Sequence, residues 1–191
     1  MFMFDIETLG KSSESVLLSL ACIHFDPAEE LDWRQLKKDA LFIKFDVKDQ
    51  AKNYQRKIQK DTLDWWNKQC HNVKIKSFIT SPDDVSLVDG MKTFTDWAKS
   101  KSTDPKEWVW IRGNLDQIVI DSIEMQLGIE PVFSYARYRD VRTAIDFLYN
   151  TENGYCKVDH FDFDPYVHIT KHDPVDDCVF DIMMMKYGVK E

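Results

Sequence analysis

Residues 1–10 read MFMFDIETLG, a run in which two carboxylates, Asp5 and Glu7, stand among Phe2, Met3, Phe4, Ile6 and Leu9. A carboxylate buried without a partner is costly. On a strand the side-chain period is two, so Asp5 and Glu7 project from one face. Like charges that close are tolerated when a cation lies between them, and a divalent metal is the simplest candidate. The alternative is a strand at a sheet edge whose two acids face water. Two more acids sit on apolar segments directly after a strand or loop: Asp116 behind WVWIRGN, and Asp177 five residues after His172. Acids at helix starts also answer the helix dipole, so each has a structural reading as well. Jointly, four carboxylates from one strand and two helix N-terminal regions can converge on a pair of hard cations. Such a pair promotes in-line attack on phosphate.

The elements that must position these groups follow from periodicity and punctuation. The apolar start reads as a short strand ending at Gly10, and SVLLSLACIHFD and ALFIKFDV are β-rich runs, so an antiparallel meander of three strands is expected. DTLDWWNKQC reads as a short helix capped by Asp61. SPDDVSLVDGMKTFTDWAKS reads as a longer one, with Ser81 as cap and Pro82 in its first turn. EWVWIRGN returns as a strand, and a helix over 115–127 follows, closed by Gly128. RDVRTAIDFLYN is helical, residues 154–171 are loop-like, and the last helix has Asp173 as cap, Pro174 at its first position and Gly188 near its end. Strands first, then helices alternating with strands, predict an α/β fold: a mixed sheet with helices packed on it. The chain of 191 residues suits a single domain over 1–191, with no repeat, low-complexity tract or linker.

With 43% hydrophobic and 30% charged residues, the composition is that of a globular protein and not of a disordered one. No apolar stretch is long enough to cross a bilayer and no basic leader is seen, so a cytoplasmic protein without a membrane partner is expected. Cys22, Cys70, Cys156 and Cys178 are scattered, which suits reduced thiols. Cys156, His160 and His168 imitate a zinc cluster but lack a second ligand pair at suitable spacing. The net charge of −8 hides an asymmetry: between Arg34 and Lys76 twelve Lys and Arg face five Asp, a balance of +7. The remainder therefore carries −15. One face could attract phosphate while another gathers carboxylates, although solvated helix faces also collect lysine. Trp65 and Trp66 lie inside the basic segment, where rings beside Lys and Arg make a stacking device for single strands. Neighbours on a helix cannot face the same way, so one of the two belongs to the core.

FDIETLG, RGNLDQIVI and HDPVDDC resemble, in order, the three sequence blocks of the DnaQ-like (DEDDh) 3′-to-5′ exonucleases of the ribonuclease H-like superfamily. Together with TLDWW and RDVRTAI, the C-terminal stretch resembles the bacteriophage DNA exonuclease branch. Pro174 stands where the family pattern has Ala, which leaves the spacing from His172 to Asp177 intact. Position 173 is Asp and not an aromatic residue, so the histidine branch fits. The resemblance implies a ribonuclease H-like sheet, with Asp5, Glu7, Asp116 and Asp177 holding two Mg²⁺ or Mn²⁺ ions. It also implies His172 as general base and contacts from Thr8 and Leu9 to a terminal nucleotide. The substrate implied is single-stranded nucleic acid, DNA before RNA, with a non-catalytic binding module as the remaining reading. Arg112 and Arg142 are candidates for phosphate contact or for pairing with Asp140. Asp162, Asp164, Asp173 and Asp176 fall outside the three-block register and read as loop, cap and first-turn acids.

Overall fold

In the computed structural model, which describes residues 1–104 and 106–190, alternation along the first residues sorts the chain onto two faces. β1 (Phe2–Thr8) sends Phe2, Phe4 and Ile6 into one core and Met3 into another, the side it shares with Asp5 and Glu7. β2 (Leu17–His24) pairs antiparallel to it, with Asp5 opposite Ala21, Glu7 opposite Ser19 and an irregularity between Glu7 and Thr8. After α1 (Trp33–Asp39), β3 (Leu41–Lys44) completes the expected meander. α2 (Val47–Asn53), α3 (Lys60–Asn67), the helical turn α4 (His71–Val73) and a π-helical turn at Lys74–Phe78 follow. The second half runs α5 (Leu87–Lys101), β4 (Val109–Ile111), α6 (Leu115–Leu127), β5 (Tyr138–Asp140) and α7 (Val141–Tyr149). It ends with β6 (Lys157–Val158), α8 (Pro165–His168), α9 (Pro174–Tyr187) and β7 (Gly188–Val189).

The main sheet has the order β3-β2-β1-β4-β5, antiparallel on the β3 side and parallel on the β5 side. This is the mixed α/β sheet expected of a ribonuclease H-like fold. Residues of α5 and α6 pack with Phe2, Phe4 and Ile6, whereas residues of α7 and α9 pack with Met3, Ala21 and Ile23. β4 pairs with β1 only at Phe2 and Met3, so the two strands part before Asp5. A parting of neighbours at the C-terminal end of a central strand opens the crevice where α/β sheets place their ligands. Among the described residues, no helix is long and apolar enough to cross a membrane.

Local expectations change where a tertiary partner takes the backbone. α5 starts at Leu87 and not behind Ser81 and Pro82, and its cap is Ser86, whose hydroxyl accepts from the Asp89 amide. Val85 stays extended because its amide and carbonyl bond Lys44 and Asp46 at the end of β3. Asp61 lies inside the first turn of α3 and accepts from the Thr62 amide, with Gln59 at the cap position. β6 and α8 occur in the expected loop of 154–171 and are too short to leave a periodic trace.

Candidate active site

Four chain segments meet where β1 and β4 separate. Gly113, with φ of 85°, turns the chain from β4 into α6, and the Asp140 carboxylate fixes that turn by accepting from the Gly113 amide at 2.7 Å. In the first turn of α6, Asp116 is 5% exposed, and its Oδ1 accepts from the Ile6 amide at 3.1 Å. That amide lies on β1 beyond the last pair with β4, so the carboxylate takes the place a strand has left and sits between Asp5 and Glu7 along the backbone. From the other side, α9 opens with Asp173 capping and Pro174 at its first position, which sets Asp177 one turn in. Asp177 Oδ2 accepts from the His172 amide at 3.0 Å. His172 itself has φ of 66°, the left-handed region that side-chain-bearing residues enter only when their surroundings hold them there. Its Nδ1 lies 4.0 Å from Glu7 Oε1, and one potential ligand atom from each of Glu7, His172 and Asp177 lies within 4.8 Å of the others.

The electrostatics of this cluster are those of carboxylates that repel one another. Burial, and then the charges of Asp116, Asp177 and Glu7, push Asp5 well above the usual carboxylate range. Glu7 is raised in the same way by burial, Asp177 and Asp116. Burial lifts Asp116 and Asp177 to about 7. Each shift means that the charged form lacks compensation where it stands. Among the described residues, no Lys or Arg comes within ion-pair distance of any of the four, whereas the neighbouring Asp181 is paired with Arg112. Four carboxylates, Asp116 buried and Asp5, Glu7 and Asp177 half-buried, stand without a protein cation among the described residues, a set of oxygen donors of the kind a hard divalent ion takes. No comparable cluster forms around Cys156, His160 and His168 among the described residues.

The residues expected to touch substrate are sorted differently by the fold. Trp65 is 38% exposed and stands edge-on to His172, whereas Trp66 is 1% exposed, donates from Nε1 to the Thr8 carbonyl and stacks on Phe78. Trp66 is thus corrected to a core residue. Thr8 and Leu9 are buried, Thr8 with its hydroxyl on the Gly10 carbonyl and Leu9 against Val16, Leu18 and Trp66. Both side chains are thus packed or bonded inside. Arg112 is corrected too: it grips Asp181 from Nε and Nη2, donates from Nη1 to the Gly154 carbonyl and lies over the Tyr155 ring. Its donors serve the fold and not a phosphate. Much of the basic segment is similarly committed: Arg34 pairs with Asp162, Lys37 with Asp176 and Lys76 with Asp173. Arg56 is buried on the carbonyls of Ser13 and Ser15, which lowers its guanidinium to about 10. Asp173 caps α9 as expected, whereas Asp164, expected to be a loop acid, caps the short α8.

Sequence reasoning missed Asp181, which lies beside the cluster and adds to the repulsion on Asp5 and Asp177. The signal was present, since it follows Asp177 by four residues and so shares its helix face.

Residues 1–189 match the family described as the 3′-5′ exoribonuclease Rv2179c-like domain. Over 208 aligned residues the chain is 32% identical to an exodeoxyribonuclease of Enterobacteria phage T4, a match that covers 99% of this chain and 88% of that protein.

Proposed function

The chain belongs to the 3′-5′ exoribonuclease Rv2179c-like family, a DnaQ-like group, and from that premise we propose that it releases nucleotides from the 3′ end of single-stranded DNA. It is a 3′-to-5′ exonuclease, and exonucleases of this kind are metal-dependent and act on nucleic acid. The observation that carries the finer reading is the gathering of Asp5, Glu7, Asp116 and Asp177 beside His172 without a protein cation among the described residues.

Asp5, Glu7, Asp116 and Asp177 hold two Mg²⁺ or Mn²⁺ ions in this reading. Bound there, the ions supply Lewis-acid stabilisation of the negative charge that develops on the scissile phosphate and on the leaving 3′ oxygen. His172 takes the proton of the attacking water. Burial, and next to it Lys171, holds its imidazole below the usual value of 6.5, so the ring is neutral and able to accept that proton at neutral pH. Exposed Trp65, against the His172 ring, offers a face on which the terminal base can stack. Hydrogen bonding of Asp116 to Ile6 and of Asp177 to His172 fixes these two carboxylates to the backbone before substrate arrives.

DNA is favoured because the match to the phage exodeoxyribonuclease runs along the whole chain. RNA is the second reading, carried by the family's description as an exoribonuclease. Digestion of 5′-labelled DNA and RNA oligonucleotides of one sequence, single-stranded and duplex, with Mg²⁺ and with chelator, tests both. A ladder that shortens from the 3′ end, fastest on single-stranded DNA and abolished by chelator, is expected. Internal cuts, 5′ trimming or chelator-resistant activity overturn the mechanism, and faster loss of RNA transfers the substrate to the second reading.

A further inference from the structure

Asp176 adjoins Asp177 at the start of α9, where an acid needs no more explanation than the helix dipole. An acid serving only that purpose stands in water. Asp176 is 7% exposed, and both of its oxygens are used on other segments. Oδ2 accepts from the Thr170 amide at 2.8 Å, and Oδ1 lies 2.5 Å from Lys37 Nζ on α1. The same ammonium donates to the His168 carbonyl at 2.6 Å, while the His168 ring stacks on Trp33 of α1 with centroids 4.3 Å apart. Alternate residues of the segment before α9 are thus each held: His168 by Lys37, Thr170 by Asp176, His172 by Asp177. A largely buried ion pair is a weak source of stability compared with apolar packing, but it defines geometry well. The geometry defined here is that of a loop whose last residue before the cap, His172, sits at a positive φ.

We propose that Asp176 and Lys37 are positioning residues, a latch between α1 and α9 that holds the 168–172 segment so that His172 faces Glu7. This inference rests on the reading of His172 as the base. The latch touches neither ligand atoms nor substrate, so it should act on turnover and not on affinity. Misplacing a catalytic group by about 1 Å can cost about 10²-fold.

Asp176→Ala removes both bonds, whereas Asp176→Asn keeps an acceptor for the Thr170 amide. Asp176→Ala should lower kcat by about 10- to 100-fold with KM and the Mg²⁺ requirement within about threefold, and Asp176→Asn, which keeps the Thr170 bond but loses the ion pair, should recover only part of the loss. Lys37→Met should lower kcat in the same way, and Lys37→Arg should restore it. The decisive arm repeats Asp176→Ala in the His172→Ala background. There the latch has no base to position, so a further loss below about twofold is expected. Equal losses in both backgrounds, or none in either, overturn the proposal. Hydrogen exchange at the Thr170 and His172 amides, read at matched melting temperature, should quicken in Asp176→Ala; unchanged exchange also overturns it. Failure of the underlying reading looks different: wild-type protein without Mg²⁺-dependent turnover removes the catalytic role of His172, and the latch with it, even if exchange responds.

Discussion

The ring of Trp65 meets the ring of His172 edge-on, with centroids 4.7 Å apart and planes at 88°. A partly exposed aromatic ring thus adjoins the residue assigned as base. Trp65→Ala should leave the melting temperature near that of the wild type and weaken binding of a single strand by about 1–3 kcal/mol, the worth of one stacked base. Trp66→Ala should destabilise the fold by about 3–5 kcal/mol, because a large buried ring and its bond to Thr8 are lost. Thermal melts paired with fluorescence titration of an oligonucleotide separate the two. Equal stability of both variants would contradict the burial of Trp66.

Neutralising a carboxylate of the cluster should abolish turnover yet help the metal-free protein fold. Asp5→Asn, Glu7→Gln, Asp116→Asn or Asp177→Asn should each cost on the order of 10³-fold or more in rate. The sign of the stability effect follows from proton linkage. All four titrate higher when folded than when unfolded, and for Asp116 and Asp177 the native state holds more protons between about pH 4 and 7. Their contribution to stability is present in acid and is lost as pH rises through about 7. Chelated wild type should therefore lose melting temperature across that window more steeply than Asp5→Asn does. Added Mg²⁺ should raise it more at pH 8 than at pH 6. Differential scanning calorimetry across pH, with and without chelator, measures both slopes.

A base that must be neutral imposes an acid limb on the rate. At saturating metal, activity should rise with pH through an apparent value below 6.5, since burial and then Lys171 both disfavour the imidazolium. Lys171→Met should move that limb upward. His172→Ala should lose about 10²- to 10⁴-fold and lose the limb, with partial return at high pH, where hydroxide replaces the base. A pH–rate profile unchanged in His172→Ala would assign the proton to another group.

Basic residues between 34 and 76 divide into structural and solvent-facing sets. Arg56→Ala should destabilise by about 2–4 kcal/mol, because the carbonyls of Ser13 and Ser15 lose a charged donor. Lys48 and Lys52 are exposed. Changing both to Gln should leave melting intact and reduce the slope of log affinity against log salt by about one to two, if both lie along the strand. An unchanged slope confines them to solubility.

Arg112 and Asp181 behave as one buried pair. Arg112→Met alone should cost about 3–5 kcal/mol by leaving Asp181 uncompensated beside the cluster, and Asp181→Asn in addition should return part of it. Additive losses in the double variant would mean that the two residues act independently.

Much of the candidate site was legible along the chain. Asp5 and Glu7 share a face because a strand repeats every two residues, and the run around them contains nothing else that could ionise. Asp173, Pro174 and the five-residue step from His172 to Asp177 are local signals, so the last helix began where its cap required. The antiparallel meander followed from apolar runs bounded by polar turns. Helix α5 shows the limit: Ser81 and Pro82 form a sound local start, yet Val85 bonds β3 and delays the helix to Leu87. Sequence periodicity does not report which distant strand will take a backbone amide.

What the sequence determined by itself was the set of chemical groups and the local elements that carry them, because propensity, capping and side-chain period act over a few residues. Tertiary structure alone decided which of two adjacent tryptophans faces water, which arginines have donors to spare, and that Asp176 is bonded to a loop and to α1 instead of standing in solvent. Those outcomes depend on partners tens to more than a hundred residues away, such as Lys37 for Asp176 and Ile6 for Asp116. Burial and long-range pairing exist only once the sheet has closed over both cores, and no short stretch of sequence encodes them.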